Sequence, residues 1–368
     1  MLYEGIKCNL RVTLNFTGGK RMKPKFFLIL LALVLTVVPL FSMCKEAPAL
    51  QVKPIELKVA SFLPMTDHQN VTLKRAFDKV EKLTKGKVRF TYYPAQTLVT
   101  AKAAFEGTVE GRCDIFNGAL PCYNPGRFLL TSVIDLPPNI PSAEVASVVY
   151  WDFFKNNKLL QNEWKEVKVL AGHVQVPHDL HTTAKPIRTM GDLKGLEIRT
   201  VGVAVHMVKA WGGTPVFLPM SEAYTALQKG ICDGMTTNWG QLKANKLADV
   251  LKYHTRVGVF AASFFIIMNW DSYNSLPPDV KKVFDDLSTW LPREFGKSWD
   301  RDEAAAIDWT MAQGGHTMIT LTPEERAKWV KKATAAAAAA WLAGAKARGL
   351  PGEKILDAKY KAIEKYIK

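Results

Sequence analysis

"IELKVAS" at residues 55–61, "NVTLKRAFDKVEKLTKG" at 70–86 and "KVRFTYYP" at 87–94 decide the fold class of this chain. The first and third segments alternate as strands do, while the second carries an apolar stripe at helical spacing that stops at a glycine. Segments 100–111 and 112–119 then repeat the helix and strand patterns. A βαβαβ order favours a parallel sheet with right-handed crossovers.

The middle of the chain has the same alternation. Strand patterns occur at 166–175, 193–201, 213–219 and 231–239. A helix is predicted over 221–230, with Ser221 as its N-cap. The apolar segment "FAASFFIIMNW" at 260–270 predicts a long buried strand, placed where the chain can cross back to the first sheet.

The last hundred residues are predicted to be helical. "LPPDVKKVFDDLSTWL" at 276–291 has proline near its first turn. "TPEERAKW" at 322–329 has the pattern of a capping box with Thr322 as the cap. The alanine run at 333–341 is predicted to be helix interior, because alanine is the best helix former. The whole pattern predicts an α/β fold of two lobes, with a ligand cleft at the carboxyl ends of the strands and long helices at the C-terminus.

The segment Met22–Cys44 has the layout of an export signal. Two lysines precede an apolar run from Phe26 to Val38, which is too short for a comfortable membrane span. We expect Met22 to be the true start, and residues 1–44 to be an upstream extension plus a signal peptide. Cys44 is a candidate lipidation site, although Met43 before it is larger than the residue a lipoprotein signal prefers; "APA" at 47–49 offers an alternative cleavage site.

The composition argues against a nucleic-acid-binding function. The chain has 368 residues, 48% of them hydrophobic, and a formal net charge of +15. The basic excess is spread along the chain rather than clustered, so we expect no nucleic-acid partner. The three cysteines beyond the leader are expected to be buried free thiols, with a bridge between Cys113 and Cys122 as the alternative.

Arg199 closes the strand pattern "LKGLEIRT" and precedes a stretch without charge. Charged side chains are rarely buried unless they are paired. From the residues alone two alternatives stay open. Either Asp192 or Glu197 folds back onto the guanidinium, or its partner comes from outside the chain.

Several blocks of sequence resemble one family. They are "PIRTMGDLKGLEIRT" (186–200), "WGGTPVFLPMSEAYTALQKGICDGM" (211–235), "LKYHTRVG" (251–258), "NSLPPDVKKVF" (274–284), "AFDKVEKLTKGKVRFTYYPAQTL" (76–98) and "GTVEGRCDI" (107–115). All six blocks are similar to the solute-binding proteins of TRAP transporters, the DctP type. The resemblance implies an exported, periplasmic protein, lipid-anchored if Cys44 is acylated, that closes on an organic acid and hands it to TRAP membrane permease subunits. It also implies lobe I from 55–176 and 265–302, and lobe II from 177–264 and 303–368.

The resemblance assigns Arg199 to the carboxylate of the organic acid, since a planar fork of donors matches a carboxylate bidentately. Many relatives carry a second arginine about twenty residues upstream, where this chain has Asp179. The further candidate ligand-binding residues are Tyr123, Trp239, Asn238, Thr237, Met220 and Gln96. One arginine with aromatic neighbours predicts a monocarboxylate with an apolar or aromatic body, because an ionised Asp179 would repel a second carboxylate.

No cofactor or metal is expected. His173, His178 and His181 lie close in sequence, but their segment reads as strand end and loop rather than as a ligand set. An exported hydrolase is disfavoured because the chain has no G-x-S-x-G motif, and Glu222 and Asp233 pair poorly as glycosidase carboxylates. A ligand sensor for a signalling partner stays open as an alternative function. The sequence does not set the oligomeric state.

Overall fold

The computed structural model describes residues 53–137 and 140–367. Within them the strands are β1 Ile55–Ser61, β2 Val88–Tyr93, β3 Ile115–Gly118, β4 Val167–Val174, β5 His178–Thr182, β6 Glu197–Thr200, β7 Thr214–Phe217, β8 Gly234–Thr237, β9 Tyr253–Phe260, β10 Ser263–Asn269 and β11 Thr317–Thr320. The α-helices are α1 His68–Leu83, α2 Ala104–Val109, α3 Leu120–Tyr123, α4 Ala143–Lys155, α5 Lys158–Asn162, α6 Ala204–Trp211, α7 Met220–Gln228, α8 Trp239–Ala244, α9 Trp270–Asn274, α10 Pro278–Ala312, α11 Pro323–Ala347 and α12 Gly352–Ile367. Short 3-10 helices lie at Thr131–Asp135, Met190–Leu193 and Leu247–Asp249.

The first sheet has five strands in the order β2-β1-β3-β10-β4. β1 pairs in parallel with both β2 and β3, as the βαβαβ pattern predicts. β10 lies between β3 and β4 and runs antiparallel to both. Every residue of β10 is buried, which explains the uninterrupted apolar run from Phe264 to Met268 inside it.

The second sheet has six strands in the order β11-β9-β5-β8-β6-β7. β6 pairs in parallel with β7 and β8, so the carboxyl ends of these three strands meet at one edge. β5 runs antiparallel to β8 and β9. This edge of the sheet is where an open α/β fold places its ligands.

In the described residues the chain crosses between the two sheets three times, the third time along α10 between β10 and β11. The first crossing follows β4 and includes Gln175, and the second lies between β9 and β10 and includes Ala262. The backbone N–H of Gln175 donates to the backbone carbonyl of Ala262 at 3.1 Å, so these two crossing segments are joined to each other. Helix α10 packs on α1 and α4 beside the first sheet and on α8 beside the second.

The C-terminal helices follow the predictions closely. Thr322 accepts a hydrogen bond from the amide of Glu325 and caps α11, and the alanine run lies inside that helix. Helix α10 extends beyond the predicted stretch and continues through Pro292 to Ala312. Helix α12 packs on α4 and on the 3-10 helix Thr131–Asp135, so the chain returns to the side of the first sheet.

Some local predictions need correction. Ser221 is not the cap of its helix: α7 begins at Met220 with Pro219 as N-cap, and no side chain caps it. Strands β5, β9 and β11 and helix α4 were not predicted. The lobe boundaries at 55–176 with 265–302, and at 177–264 with 303–368, stay a prediction.

Cys113, Cys122 and Cys232 are free and buried, as expected, so the alternative bridge between the first two is not formed. Among the residues that the structure describes, no helix combines the length and the apolar character needed to span a bilayer. The signal-like segment, including Cys44, lies outside the described residues.

Candidate ligand-binding site

A cavity lies at the carboxyl ends of β1, β3, β6 and β8, between the two sheets. Its walls include Phe62 after β1, Arg199 from the end of β6 and Thr237 from the end of β8. The first two crossing segments contribute Gln175 and Ala262. The cavity therefore occupies the cleft position that the α/β pattern predicts, and any movement of one sheet against the other would reshape it.

Arg199 is 1% exposed, and none of the residues that line the cavity with it is a carboxylate. Its Nε donates to the Leu218 carbonyl at 2.9 Å, while its Nη2 has no hydrogen-bond partner. In the described part of the chain Arg199 forms no ion pair; Asp192 instead accepts hydrogen bonds from Thr189 and from the amide of Arg188. Of the two alternatives that the sequence left open, the geometry favours a partner from outside the chain.

The cavity walls hold several buried polar atoms without partners. Besides Arg199 Nη2, they are both amide atoms of Gln69, Nδ1 of His178 and Oγ1 of Thr237. Buried polar groups in folded proteins are nearly always hydrogen-bonded. Such a concentration on one surface indicates a cavity shaped for a polar occupant rather than for apolar packing.

The electrostatics of the cavity are dominated by one positive charge. Burial lowers the pKa of Arg199, but a guanidinium is so strong a base that it stays charged. Burial and the nearby Arg199 lower the pKa of His178 to about 3, so this imidazole is neutral at physiological pH. Among the lining residues no carboxylate offsets the charge of Arg199.

Aromatic rings form the apolar walls. The Phe62 ring meets the Tyr123 ring edge to face at 5.6 Å and stacks near Phe264 at 6.3 Å. Met220 adds a thioether at the start of α7. Burial raises the pKa of the Tyr123 hydroxyl and the charge of Arg199 opposes that rise, so the aromatic wall lies beside the cation.

Four of the candidate residues from the sequence line the cavity, and three do not. Arg199, Tyr123, Thr237 and Met220 are lining residues. Gln96 lies outside the cavity, in left-handed backbone with φ 63, and its side chain accepts from the Ala101 amide at 3.0 Å.

Trp239 and Asn238 also lie outside the lining, for a shared reason. The strand β8 ends at Thr237 and α8 begins at Trp239, so the chain turns away from the cavity there. The Trp239 ring is fully buried, and its Nε1 donates to Asp179 at 2.8 Å. Asn238 caps α8 and donates to Gln175 at 3.0 Å.

Asp179 belongs to the scaffold of the second sheet. Its carboxylate pairs with Arg256 at 2.9 Å and accepts from the amides of Val257 and Gly258. It does not line the cavity. The sequence argument that Asp179 repels a second carboxylate of the ligand therefore loses its geometric basis, and any preference for a monoacid has to come from the single charge of Arg199.

The three histidines near β5 have separate environments. His173 stacks on Phe295 with 4.0 Å between ring centroids, and His181 hydrogen-bonds His254 at 2.8 Å. His178 lines the cavity. Among the described residues no group of three or more His, Cys, Asp or Glu side chains is arranged to hold a metal ion.

Sequence reasoning missed five polar or aromatic residues of the cavity wall: Phe62, Gln69, Gln175, Gln241 and Phe264. His178 was considered from the sequence only as a metal ligand. A usable signal existed for Gln69, because Asp67 caps α1 directly after β1 and places the next residues at the strand's carboxyl end. Nothing local marks Gln175 or Phe264, which reach the cavity through the crossing segments.

The family comparison and the structural comparison both match this chain to solute-binding proteins. The model of the family "Bacterial extracellular solute-binding protein, family 7" (DctP) matches residues 59–342. A TRAP periplasmic solute-binding protein from Desulfovibrio salexigens is similar in structure, with a TM-score of 0.74 and 35% identity over 85% of this chain and 96% of that one.

Two further solved structures contain ligands. A marine metagenome TRAP solute-binding protein specific for aromatic acids, in complex with 3-hydroxybenzoate, has a TM-score of 0.81 and 30% identity over 86% of this chain and 99% of its own. A TRAP solute-binding protein from Rhodoferax ferrireducens, in complex with benzoate, has a TM-score of 0.79 and 30% identity over 85% of this chain and 98% of its own.

Proposed function

The chain belongs to the bacterial extracellular solute-binding proteins of family 7, and on that premise we propose that its ligand is a monocarboxylate with an apolar or aromatic body, bound at Arg199. Its family and its structural neighbours are solute-binding proteins of TRAP transporters and not enzymes. The observation that carries the proposal is a fully buried guanidinium with a free Nη2 and no carboxylate among the residues that line its cavity.

A carboxylate is the ligand group that satisfies this guanidinium. Charge-assisted bonds from arginine to a carboxylate are about twice as strong as neutral hydrogen bonds. Arg199 is held in place before the ligand arrives, because its Nε is bonded to the Leu218 carbonyl. Pre-organisation of this kind lowers the ordering cost of binding.

The single positive charge favours a monoacid over a diacid. A second carboxylate in the closed cavity would be removed from water without a cation to pair with, and an unpaired buried charge costs several kcal/mol. His178 does not supply that cation, because it is neutral. Two further cations, Lys185 and Arg127, are bonded elsewhere, to the Asp192 carbonyl and to Glu166.

The walls support an apolar or aromatic body. Phe62, Tyr123, Phe264 and Met220 offer ring faces and a polarisable thioether around the cation. Two structural neighbours hold 3-hydroxybenzoate and benzoate, each an aromatic ring with one carboxylate. Ligands of this kind would suit a cavity that has one cation and aromatic walls.

Delivery to TRAP membrane permease subunits from the periplasm completes the proposed function. The family is extracellular, and TRAP solute-binding proteins are periplasmic. Export by the signal-like segment Met22–Cys44, with or without a lipid on Cys44, is part of the proposal and follows from the sequence alone.

A thermal-shift panel tests the ligand class. Benzoate, 3-hydroxybenzoate and branched 2-oxo acids form one arm, and succinate, malate and fumarate form the other. Ligand in excess raises the unfolding midpoint by mass action, so a tight monoacid is expected to raise it by several degrees. Stabilisation by the C4 dicarboxylates with none by the monoacids would rule out the proposed class.

A further inference from the structure

A line of four buried polar residues connects α8 to the cavity wall. The backbone N–H of Gln241 donates to Asn238 Oδ1 at 3.2 Å, and Asn238 Nδ2 donates to Gln175 Oε1 at 3.0 Å. Gln175 Nε2 in turn hydrogen-bonds His178 Nε2. The far side of the same imidazole, Nδ1, is buried and has no partner.

The direction of every bond in this line is set by its first member. A backbone N–H only donates, so Asn238 must present its oxygen to Gln241 and its NH₂ group to Gln175. Gln175 then accepts with its oxygen and presents its own NH₂ group to His178. His178 Nε2 must accept that bond, and a neutral imidazole that accepts at Nε2 carries its proton on Nδ1.

His178 is neutral because it is buried beside a cation. Burial and the charge of Arg199 lower its pKa to about 3. Its imidazole meets the Phe260 ring edge to face at 4.8 Å, and the nearby His181 adds no charge, because burial holds its pKa well below the usual value. No carboxylate in the described part of the chain pairs with His178, so nothing there favours its charged form.

We propose that His178 donates its Nδ1–H to an oxygen of the bound acid and so helps to determine specificity, while Gln175 and Asn238 are positioning residues that hold it in the donating tautomer. This inference rests on the proposed function, because it assumes an acid bound at Arg199. It gives Asn238 an indirect role, with Gln175 and His178 between it and the ligand. It also makes the cavity selective for an acceptor oxygen beside the guanidinium and against an amine or other pure donor there.

Asparagine and phenylalanine at position 178 separate the donor from the ring. An asparagine NH₂ group occupies nearly the place of the imidazole Nδ1–H, so His178→Asn is expected to keep the affinity for 3-hydroxybenzoate within about threefold. His178→Phe removes the donor and is expected to weaken binding about 10- to 100-fold, the range for a hydrogen bond to a charged group. His206→Asn, an exposed position on α6, is the matched control and should bind as the unsubstituted protein does.

Gln175→Met tests the positioning line without touching Nδ1. It removes the donor to His178 Nε2, so the proton is expected to distribute over both ring nitrogens and the affinity to fall about three- to tenfold. Long-range ¹H–¹⁵N spectra of protein labelled with ¹⁵N-histidine report which nitrogen is protonated, and the spectrum of His178→Phe identifies the signals of residue 178. A residue that only fills space would show no such link between tautomer and affinity.

The outcomes are distinguishable. A wild-type spectrum with the proton on Nε2, or unchanged affinity in His178→Phe, overturns this inference and leaves the proposed function standing. Failure of the unsubstituted protein to bind 3-hydroxybenzoate or any other monoacid overturns the proposed ligand class, and the ligand contact of His178 with it. An Nδ1–H signal in the wild type, lost in Gln175→Met together with affinity, supports the inference.

Discussion

Two arginines of the six-stranded sheet have opposite surroundings. Arg256 on β9 pairs with the buried Asp179 at 2.9 Å, and the same carboxylate also accepts from Trp239 Nε1 and from the amides of Val257 and Gly258. Arg199 on β6 has one bond to a carbonyl and an unpartnered Nη2 in a cavity. The first charge is satisfied inside the chain and the second is not.

This contrast separates scaffold from site by a physical criterion. A buried charge with a full set of partners holds strands together, and its removal leaves orphaned groups behind. A buried charge without them is retained at a cost in stability, which is understandable where a ligand supplies the missing bonds. Substitutions around Asp179 should therefore change mainly the stability of the protein, and substitutions at Arg199 mainly its affinity for the ligand.

The largest expected effect is on stability, from Asp179→Ala. The substitution leaves Trp239 Nε1, two backbone N–H groups and Arg256 without their acceptor. Because Arg256 is partly exposed, most of the cost comes from the donors left without an acceptor, about 3–5 kcal/mol in the free energy of unfolding at roughly 1–3 kcal/mol for each orphaned group. Urea unfolding would measure it, with Arg199→Met as the comparison, which should change stability much less because it replaces an unpaired charge by an apolar chain. Equal losses in both variants would break the distinction.

The second effect is on affinity, from Arg199→Ala. Removing the cation leaves the carboxylate of the ligand buried and unpaired, which is expected to weaken binding at least about 30-fold. Arg199→Lys should recover only part of it, since an ammonium cannot reproduce the planar fork. Calorimetric titration with 3-hydroxybenzoate measures both, and Arg256→Ala, which removes the paired arginine, should stay within about threefold of wild type. Unchanged affinity in Arg199→Ala would show that the anion binds elsewhere.

The smallest expected effect concerns pH: the ratio of the ligand affinities of wild type and His178→Asn should not change with pH. Because the pKa of His178 is lowered to about 3, this residue does not change charge between pH 5.5 and 8. The affinity ratio between wild type and His178→Asn is therefore expected to be flat over that window, since other titrating groups affect both proteins alike. A histidine with an ordinary pKa near 6.5 would gain charge as the pH falls and make the wild type bind relatively better below that value.

Much of this fold is readable in the sequence, because its first sheet starts with a local βαβαβ pattern. Strand β5, in contrast, is only five residues long, and all five are buried, so its "HDLHT" sequence shows no alternation. The position of β10 between β3 and β4 depends on contacts between distant segments. Periodicity predicts that such a strand exists but not which neighbours it pairs with.

The site was readable in the same uneven way. Arg199 could be singled out because a charge at the end of an apolar strand is conspicuous in a sequence. The partner of Asp179 could not, since Arg256 lies far along the chain and reaches it only through the pairing of β5 with β9. Trp239 was assigned to the site through the family resemblance, with Asn238 and Thr237 as its neighbours, but the chain enters a helix at Trp239 and the ring is buried in an apolar cluster with Leu242.

A crystal structure of the protein bound to 3-hydroxybenzoate would show directly whether Arg199 binds the carboxylate. We expect one ligand in the cavity, with its carboxylate accepting from Arg199 Nη2 at about 2.7–2.9 Å, the range of a charge-assisted bond. Its ring should lie among Phe62, Tyr123 and Phe264. A ligand carboxylate paired with Arg256 or Arg326 instead, with Arg199 Nη2 still without an anion, would contradict it.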